Sequence, residues 1–385
     1  MPKAPIIALL GGGQLGRMFL ENALRYDAEV HVLDPDSNCS CARIAHRFVQ
    51  GSFNDKNTVI SFAREADIVG IEIEHVSVEA LRELKAMGKR VIPDPEVLHT
   101  IKDKGLQKEF YASHGIPSSP FALVSKKEEI AAHEQLMPGF LKARIGGYDG
   151  KGVMAIRNEA DIAGAFDGPC VLERSADIEL ELAVIVVRGT NGSMVCYDPV
   201  EMVFDERYNL VDHLRAPARI PEALSIRARN LAEQVARAFG QPGIYAVEMF
   251  LTKRGDLWVN ETAPRAHNSG HHTIEACASS QFDQLLRLYL DRPLGSTRMR
   301  GTAAMINIVG EGGTGPAEVK GWNEVLALPD TFIHLYGKSE TRTGRKMGHV
   351  TAMAHDHAAL DLAIDTTRTH CKVVPAMANA LPADR

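Results

Sequence analysis

The 385-residue chain has the composition of an ordinary soluble globular protein, with 45% hydrophobic and 24% charged residues. Its formal net charge of −6 and the lack of a dense lysine or arginine run argue against a dedicated nucleic-acid binder. No stretch approaches the ~18 apolar residues of a membrane span, and the six cysteines form no C-x-x-C pair, which argues against a zinc ribbon or a disulfide framework. We therefore expect a cytoplasmic protein of two or three domains with reduced thiols.

The first hundred residues alternate strand and helix patterns. Strand-like segments such as PIIALL and EVHVLD are separated by helix patterns, the first of which begins near Gln14. This alternation predicts a parallel α/β sheet over residues 1–100. Pro93 and Pro95 end the pattern, and the helix pattern in DKGLQKEFYASHGIP then opens a second domain at about residue 101.

Residues 101–296 have an α+β pattern. From about residue 139 to 265, segments such as ELAVIVVR and YAVEMFL have the character of antiparallel strands, and one helix pattern from Pro221 to Phe239 interrupts them. A helix around Phe282 to Tyr289 and the turn DRPLG close this unit. Residues 297–385 are left as a small third domain.

Two glycine-rich segments are candidate binding sites. GGGQLG fits the pattern G-x-G-x-x-G at Gly11, Gly13 and Gly16, which is compatible with a dinucleotide site or with close packing at a strand-to-helix turn. KARIGGYDGKGV, residues 142–153, combines four glycines with two lysines and lacks the spacing of a Walker A loop. Glycines let a ligand approach backbone N–H groups and lysines add positive charge, so this segment is either a phosphate loop or a hairpin turn.

The segment GIYAVEMFLTKRGDLWVNETAPR predicts a metal-binding hairpin. If Arg254 and Gly255 form its tip, Glu248 and Glu261 face each other across the two strands. Facing carboxylates are destabilising unless a cation lies between them, and hard oxygen ligands beside the amide of Asn260 suit Mg²⁺. A register slip that exposes one acid to solvent is the alternative.

Two polar clusters follow the hairpin. PRAHNSGHHT contains Arg265, Asn268 and the histidines at 267, 271 and 272, and its spacing favours anion or substrate contacts over zinc. HLYGKSETRTGRKMGHV gathers four basic residues among glycines, either as a solvated loop or as an anion site. These four residues are Lys338, Arg342, Arg345 and Lys346.

Together these motifs resemble the ATP-grasp superfamily. Within it, GGGQLGRM, VLDPD, KARIGGYDGKG, VNETAPRAHNSGHHT and HLYGKSETRTGRKMGHV are similar to the N5-carboxyaminoimidazole ribonucleotide synthetase family of purine biosynthesis, and the match spans essentially the whole chain. The resemblance implies an N-terminal Rossmann-like pre-ATP-grasp domain without a dinucleotide, an ATP-grasp domain whose two lobes hold ATP, a small C-terminal domain and a homodimer. It also implies a ligase whose substrates are ATP, bicarbonate and 5-aminoimidazole ribonucleotide. Two Mg²⁺ ions would bind with the ATP. Carboxyphosphate would form first, and the amine would then take the carboxyl group directly or as released CO₂.

The resemblance also assigns roles to residues of this sequence. The residues expected at ATP are Lys104, Lys142, Gly146, Gly147, Tyr148, Asp149, Gly150, Lys151, Gly152, Glu173, Arg174, Ser175, Ala176, Glu181, Asn260 and Glu261. The expected metal ligands are Glu248 and Glu261. The residues expected at the ribonucleotide are Gln14, Leu15, Glu74, His267, Asn268, Lys338, Arg345 and Lys346. The candidate catalytic residues are Tyr148, Asp149, Lys151 and Arg265, and the first two belong to a lid that keeps water from carboxyphosphate.

The sequence departs from the family pattern at a few positions. Lys104 and Lys151 stand where arginine is frequent and keep its charge, whereas His75 stands where asparagine is usual. Phe204 replaces a histidine of many relatives, which puts a polar nucleotide contact there in doubt. Two other functions stay open. One is a formate-activating transformylase acting on glycinamide ribonucleotide, and the other is a nicotinamide-dependent dehydrogenase or a nucleotide-binding regulatory module.

Overall fold

The structure is a computed structural model that describes residues 5–146, 152–205, 207 and 210–376. These residues form four sheets of five, four, nine and three strands with helices packed against them. No helix within this part of the chain is long and apolar enough to cross a membrane.

The N-terminal sheet is parallel, with the strand order β3-β2-β1-β4-β5. Its strands are β1 (Ile6–Leu10), β2 (Glu29–Asp34), β3 (Arg47–Gln50), β4 (Ile68–Ile71) and β5 (Arg90–Ile92). Its helices are α1 (Gln14–Ala23), α2 (Lys56–Ala63), α3 (Val78–Ala86) and α4 (Pro95–Lys102), with a short 3₁₀ turn at Leu24–Tyr26. Strands β1 and β4 are buried along their whole length, as expected for parallel strands that are covered on both faces. The predicted α/β sheet is thus confirmed.

Pro95 acts differently from the expectation, because it opens helix α4 rather than simply ending the sheet. Asp94 caps this helix, and its carboxylate accepts a hydrogen bond from the Glu96 N–H. A proline in the first turn fits, since its missing N–H would have no partner there.

A four-stranded antiparallel sheet follows helix α5 (Lys104–Ser113), with the order β6-β9-β7-β8. Its strands are β6 (Phe121–Val124), β7 (Gly139–Ala143), β8 (Val153–Ile156) and β9 (Cys170–Arg174). Two 3₁₀ segments, Lys127–Leu136 and Glu159–Gly164, cover it. The glycine-rich loop predicted from the sequence joins β7 to β8, but residues 147–151 lie outside the described part of the chain.

The largest sheet has nine antiparallel strands. Its first strands are β10 (Ile178–Arg188), β11 (Met194–Cys196), β12 (Val200–Asp205), β13 (Leu210–Ala216), β14 (Gly243–Thr252) and β15 (Leu257–Ala263). Helix α6 (Glu222–Phe239) packs on it through Ala228, Leu231, Ala232, Val235 and Ala236, which recur at helical spacing, and ends at Gly240 with φ 68°. A 3₁₀ turn (Asn268–Gly270) precedes helices α7 (Thr273–Ala276) and α8 (Gln281–Tyr289).

Three of the C-terminal strands extend this same sheet. The C-terminal elements are β16 (Thr302–Val309), β17 (Gly315–Lys320), α9 (Trp322–Leu326), β18 (Thr331–Leu335), β19 (Glu340–Thr341), β20 (Lys346–Ala354), α10 (His357–His370) and β21 (Lys372–Pro375). The nine-stranded sheet has the order β15-β14-β10-β12-β13-β16-β20-β18 with β11 beside β10, whereas β19, β17 and β21 form the separate three-stranded sheet in that order. Strand β16 pairs with β13, so the boundary expected at residue 297 falls between neighbouring strands of one sheet. The α+β pattern is confirmed, and the division at 297 stays a prediction.

Candidate active site

The hairpin of β14 and β15 places Glu248 directly opposite Glu261, as the sequence predicts. The predicted two-residue tip is wrong, however. Thr252 and Asp256 close a three-residue loop in which Gly255 adopts φ 82° and donates its N–H to the Thr252 carbonyl at 2.8 Å. This longer loop moves the register by one residue, and a bulge at Asn260 moves it back, because Met249 pairs with Val259 and Glu248 with Glu261.

The pKa values of the two facing carboxyl groups are shifted in opposite directions. Lys104 lies 3.0 Å from Glu261 and lowers the pKa of that carboxyl to about 2, whereas burial and the charge of Glu261 raise the pKa of Glu248 to about 8. His267 lies 3.6 Å from Glu248 but offers no compensating charge at neutral pH, because burial lowers its pKa to about 3. Of the two facing acids only Glu261 has a cationic partner, and a divalent cation such as Mg²⁺ would favour the ionised form of Glu248 and bind to both carboxylates.

A buried ion-pair cluster lies beside this pair. Lys142 on β7 donates to the Asn260 side-chain oxygen at 3.3 Å and lies 3.1 Å from the Glu173 carboxylate. The other carboxylate oxygen of Glu173 lies 2.9 Å from the ammonium of Lys108 on α5. Sequence reasoning assigned no role to Lys108. Its spacing of four residues from Lys104, which puts both lysines on one helix face, was the available signal.

In the segment expected to contact adenine, some backbone N–H groups already form hydrogen bonds within the protein. The N–H of Arg174 donates to the Pro120 carbonyl and that of Ser175 to the Pro138 carbonyl, each at 2.9 Å. The Arg174 guanidinium lies over the Trp258 ring, 5.8 Å from its centroid. Ala176 follows at the end of the strand. Glu181 lies on β10, and burial raises its pKa to about 7.

The described residues include the two ends of the predicted phosphate loop. Gly152 accepts a hydrogen bond from the Ala143 N–H at 2.8 Å, and Gly146 adopts φ 84°, a conformation that favours glycine. The remaining loop residues predicted at ATP or as catalytic lie outside the described residues; they are Gly147, Tyr148, Asp149, Gly150 and Lys151.

The glycine turn before α1 contains an acidic side chain. The Leu15 N–H donates to the Glu72 carboxylate at 3.1 Å, and a Cβ atom at Gly13 would lie 2.5 Å from one of the Glu72 oxygens. A dinucleotide would bring its pyrophosphate to this turn, where the Glu72 side chain already occupies the Leu15 N–H and the space beside Gly13. This geometry argues against the dehydrogenase alternative.

Arg265 lies next to this turn and is held by a second acid. Its guanidinium is 2.8 Å from the Glu74 carboxylate, and its charge also lowers the pKa of Glu72, although burial raises that pKa overall. Glu72 follows strand β4 directly and Glu74 comes two residues later, at the carboxyl edge of the parallel sheet. The candidate catalytic Arg265 and the candidate substrate residue Glu74 are therefore brought together.

The basic segment near the C-terminus meets the start of α1. Lys338 donates to the Gln14 side chain at 2.7 Å and to the Lys346 carbonyl at 2.6 Å. Burial, with a contribution from Arg345, lowers the pKa of Lys338 to about 8. Arg345 donates one N–H to the Glu340 carbonyl at 2.7 Å. The segment is thus anchored across two regions of the chain rather than solvated.

In the histidine-containing segment after the hairpin, Asn268 pairs with a distant strand and two histidines lie in the interior. Asn268 pairs with Asn307 of β16 through two hydrogen bonds of 2.9 and 3.1 Å, a partner that the sequence did not reveal. His271 and His272 are buried, and the His271 ring lies 4.8 Å from that of His349. Within the described residues no group of three or more His, Cys, Asp or Glu side chains is arranged to hold a metal ion.

Family models match three parts of the chain. Residues 5–102 match a ribonucleotide synthetase preATP-grasp domain, residues 109–282 an ATP-grasp domain, and residues 303–362 a phosphoribosylaminoimidazole carboxylase C-terminal domain.

Whole-chain relatives agree with these matches. The N5-carboxyaminoimidazole ribonucleotide synthase of Bacillus subtilis is 35% identical over 356 residues, which cover 90% of this chain and 91% of that protein. The crystal structure of the N5-carboxyaminoimidazole ribonucleotide synthetase from Thermotoga maritima matches with a TM-score of 0.89 and 39% identity, covering 97% of this chain and 100% of that chain. The Aspergillus clavatus synthase, in complex with ADP and 5-aminoimidazole ribonucleotide, matches with a TM-score of 0.86 and 34% identity over 96% of this chain and 100% of that chain. The chain therefore belongs to the N5-carboxyaminoimidazole ribonucleotide synthetase family and has its ATP-grasp fold.

Proposed function

We propose that this ATP-dependent ligase of purine biosynthesis carboxylates 5-aminoimidazole ribonucleotide, with bicarbonate as the carboxyl donor and ADP and phosphate as the other products. The observation that carries the proposal is the facing pair Glu248 and Glu261 with Lys104 and Lys142 beside it. Two carboxylates and two ammonium groups in one place suit a magnesium nucleotide, whose phosphates need both the metal and positive side chains.

In this proposal, the nucleotide lies between the four-stranded sheet and the hairpin. Lys104, Lys142 and the loop from Gly146 to Gly152 neutralise the phosphates, and the segment Glu173–Ala176 contacts adenine. Glu181, at the opposite wall, accepts from the ribose hydroxyls. The family resemblance assigns this placement, and the chemistry of the side chains is compatible with it, since ammonium groups pair with phosphates and a carboxylate accepts from hydroxyls.

Glu248 and Glu261 would hold Mg²⁺, as two ions with the nucleotide. The fit rests on the donor set, which has two facing carboxylates, one of which lacks a compensating cation. When bound, the metal would draw charge from the phosphate oxygens and so favour phosphoryl transfer.

The reaction has two steps. A bicarbonate oxygen attacks the γ-phosphorus of ATP, the bond to the bridging oxygen breaks and ADP leaves, which gives carboxyphosphate. The ribonucleotide amine then forms a bond to the carboxyl carbon, either directly or after CO₂ is released, while the amine loses a proton and phosphate leaves. The residues of the chain would position the anions and offset their charge, and they need form no covalent bond to substrate.

The ribonucleotide would lie on the other side of the hairpin. Lys338, Arg345 and Lys346 would bind its phosphate, while residues from the first sheet and the post-hairpin segment would hold the ribose and ring. These other residues are Gln14, Leu15, Glu74, His267 and Asn268. The contact between Lys338 and Gln14 supports this arrangement, because it brings the basic segment to the turn where α1 begins. Arg265, held by Glu74, would lie between the two substrates.

The lid, the assembly and the domain division belong to the proposal as well. Tyr148, Asp149 and Lys151 would close over carboxyphosphate and keep water out. The protein would work as a cytoplasmic homodimer, with domains at residues 1–100, 101–296 and 297–385.

Phosphate release from ATP tests the function directly. We expect release to require both bicarbonate and 5-aminoimidazole ribonucleotide, and formate with glycinamide ribonucleotide to give none. Release that depends on formate and ignores bicarbonate would contradict the proposal.

Arg345→Ala tests the ribonucleotide phosphate site. Losing one charge-assisted contact costs about 1.5–3 kcal/mol, or roughly ten- to a hundredfold in affinity. The KM for the ribonucleotide should rise by that factor, while the KM for ATP stays within about twofold. A variant that weakens ATP and leaves the ribonucleotide unaffected would show that this segment is misassigned.

A further inference from the structure

Lys108 is a buried charge without a role in the function proposed above. It lies on α5, one turn after Lys104, and its side chain is only 3% exposed. An ammonium group in such a place loses its hydration, which is unfavourable unless a partner compensates its charge. Its partner is the Glu173 carboxylate, which is itself 5% exposed.

Glu173 joins Lys108 to the nucleotide site. One of its oxygens lies 2.9 Å from Lys108 and the other 3.1 Å from Lys142, so each oxygen faces a different lysine. Lys142 also donates to the Asn260 side chain at 3.3 Å, next to the facing carboxylates. Lys142 is thus held between Glu173 on one side and the proposed phosphate site on the other.

We propose that Lys108 is a positioning residue for ATP binding, which acts on Lys142 through Glu173. By occupying one carboxylate oxygen, Lys108 leaves Glu173 only the other oxygen for Lys142. The cluster of two ammonium groups and one carboxylate then keeps one positive charge in excess for the phosphates. Without Lys108, Glu173 would bind and neutralise Lys142 alone. This inference rests on the proposed function, which supplies ATP as the ligand.

The protonation state of Lys108 should affect the affinity for ATP. The charged groups facing it are Glu173 from β9, Lys142 from β7 and Glu261 from β15. Burial lowers the pKa of Lys108, and the charge of Lys142 lowers it further. The carboxylates of Glu173 and Glu261 raise this pKa but do not offset the lowering. Lys108 therefore loses its proton more readily than an ordinary lysine. Ionisation of Glu248 over the same pH range would affect a Lys108→Arg variant and the natural protein alike, so the affinity of the natural protein for ATP should fall relative to that variant as the pH rises.

The experiment measures the Kd of a non-hydrolysable ATP analogue with Mg²⁺ on the full chain, without ribonucleotide, by calorimetry between pH 7 and 9.5. Lys108→Met should weaken binding roughly ten- to a hundredfold at pH 7, and this difference from the natural protein should narrow as the pH rises. Lys108→Arg keeps the charge but does not titrate in this range, so it should bind within about threefold of the natural protein at pH 7 and gain on it as the pH rises. The KM for the ribonucleotide should stay within about twofold in both variants.

Lys56→Met is the matched control, because Lys56 forms an ion pair of 2.7 Å with Glu83 at the exposed surface. It should bind the analogue as the natural protein does. Lys108→Met binding that equals the natural protein at pH 7, or a ratio of the Lys108→Arg and natural Kd values that does not change with pH, would overturn the inference. If Lys108→Met does not fold, this ratio decides alone. A natural protein that binds no analogue would overturn the proposed function together with the inference, which distinguishes the two failures.

Discussion

Replacing Glu248 with glutamine in metal-free protein should make the protein more stable at alkaline pH. The Glu248 side chain is 16% exposed and faces Glu261. Burial and this neighbour raise the pKa of Glu248 to about 8, whereas an unfolded chain releases the proton near pH ~4.3. Between these values the folded state holds the extra proton, so its stability falls by at most about 1.4 kcal/mol for each pH unit gained.

The size of the effect follows from this slope. From pH 6 to pH 8 the loss is at most about 2.7 kcal/mol, which corresponds to roughly 3 °C in Tm for a chain of this length. Glutamine has nearly the same shape and cannot ionise. In EDTA, the Tm of Glu248→Gln should match that of the natural protein at pH 6 and exceed it by up to about 3 °C at pH 8.

Thermal unfolding followed by circular dichroism at several pH values checks this prediction. The control is Glu83→Gln, since Glu83 is a surface acid paired with Lys56 and should give no pH-dependent difference. Adding Mg²⁺ with ADP at pH 8 should raise the Tm of the natural protein more than that of Glu248→Gln. Parallel Tm profiles for Glu248→Gln and the natural protein from pH 6 to 8 would refute the reasoning, because they would show that Glu248 does not retain its proton in the folded protein.

Three further predictions concern the nucleotide side of the site. Glu261→Gln should keep its circular dichroism spectrum and lose most Mg²⁺-dependent turnover, since one ligand charge is lost, so an unaltered rate would contradict the metal assignment. Glu173→Gln leaves two lysines without their counter-charge and should destabilise the protein by about 3–5 kcal/mol, or roughly 4–6 °C, whereas Glu83→Gln should cause a much smaller shift; equal shifts would argue against the buried cluster. Proteolysis near residues 148–151 should be rapid in the free protein and suppressed by an ATP analogue with Mg²⁺, and equal cleavage in both states would argue against a lid.

The sequence predicted the facing acids correctly through a partly wrong route. Counting from a two-residue tip paired Glu248 with Glu261, and the observed loop has three residues. The bulge at Asn260 compensates for the extra residue. Turn glycines are visible in a sequence, but a bulge in the middle of a strand is fixed by how the two strands twist and pack, so only the structure could reveal it.

Other parts of the site depend on contacts between distant segments. The alternation of strands and helices predicted the parallel sheet, and glycine and lysine composition predicted where a phosphate could approach. Nothing in the local pattern around Lys108 or Asn307 indicates their partners, because Glu173 and Asn268 come from other strands or loops. Glu72 was visible only as part of a strand-like segment, and its place in the glycine turn follows from where β4 ends.

The continuous sheet affects how the protein folds during its synthesis. Until β16 emerges from the ribosome, β13 has an unpaired edge that is prone to bind other strands. The same late segments supply Asn307 to Asn268 and Lys338 to Gln14. A nascent chain that stalls near residue 300 would therefore hold the hairpin of Glu248 and Glu261 and the proposed nucleotide site, yet lack the proposed pocket for the ribonucleotide. Completion of that pocket and protection of the sheet edge would occur together, so unfinished chains would be both inactive and exposed to quality control.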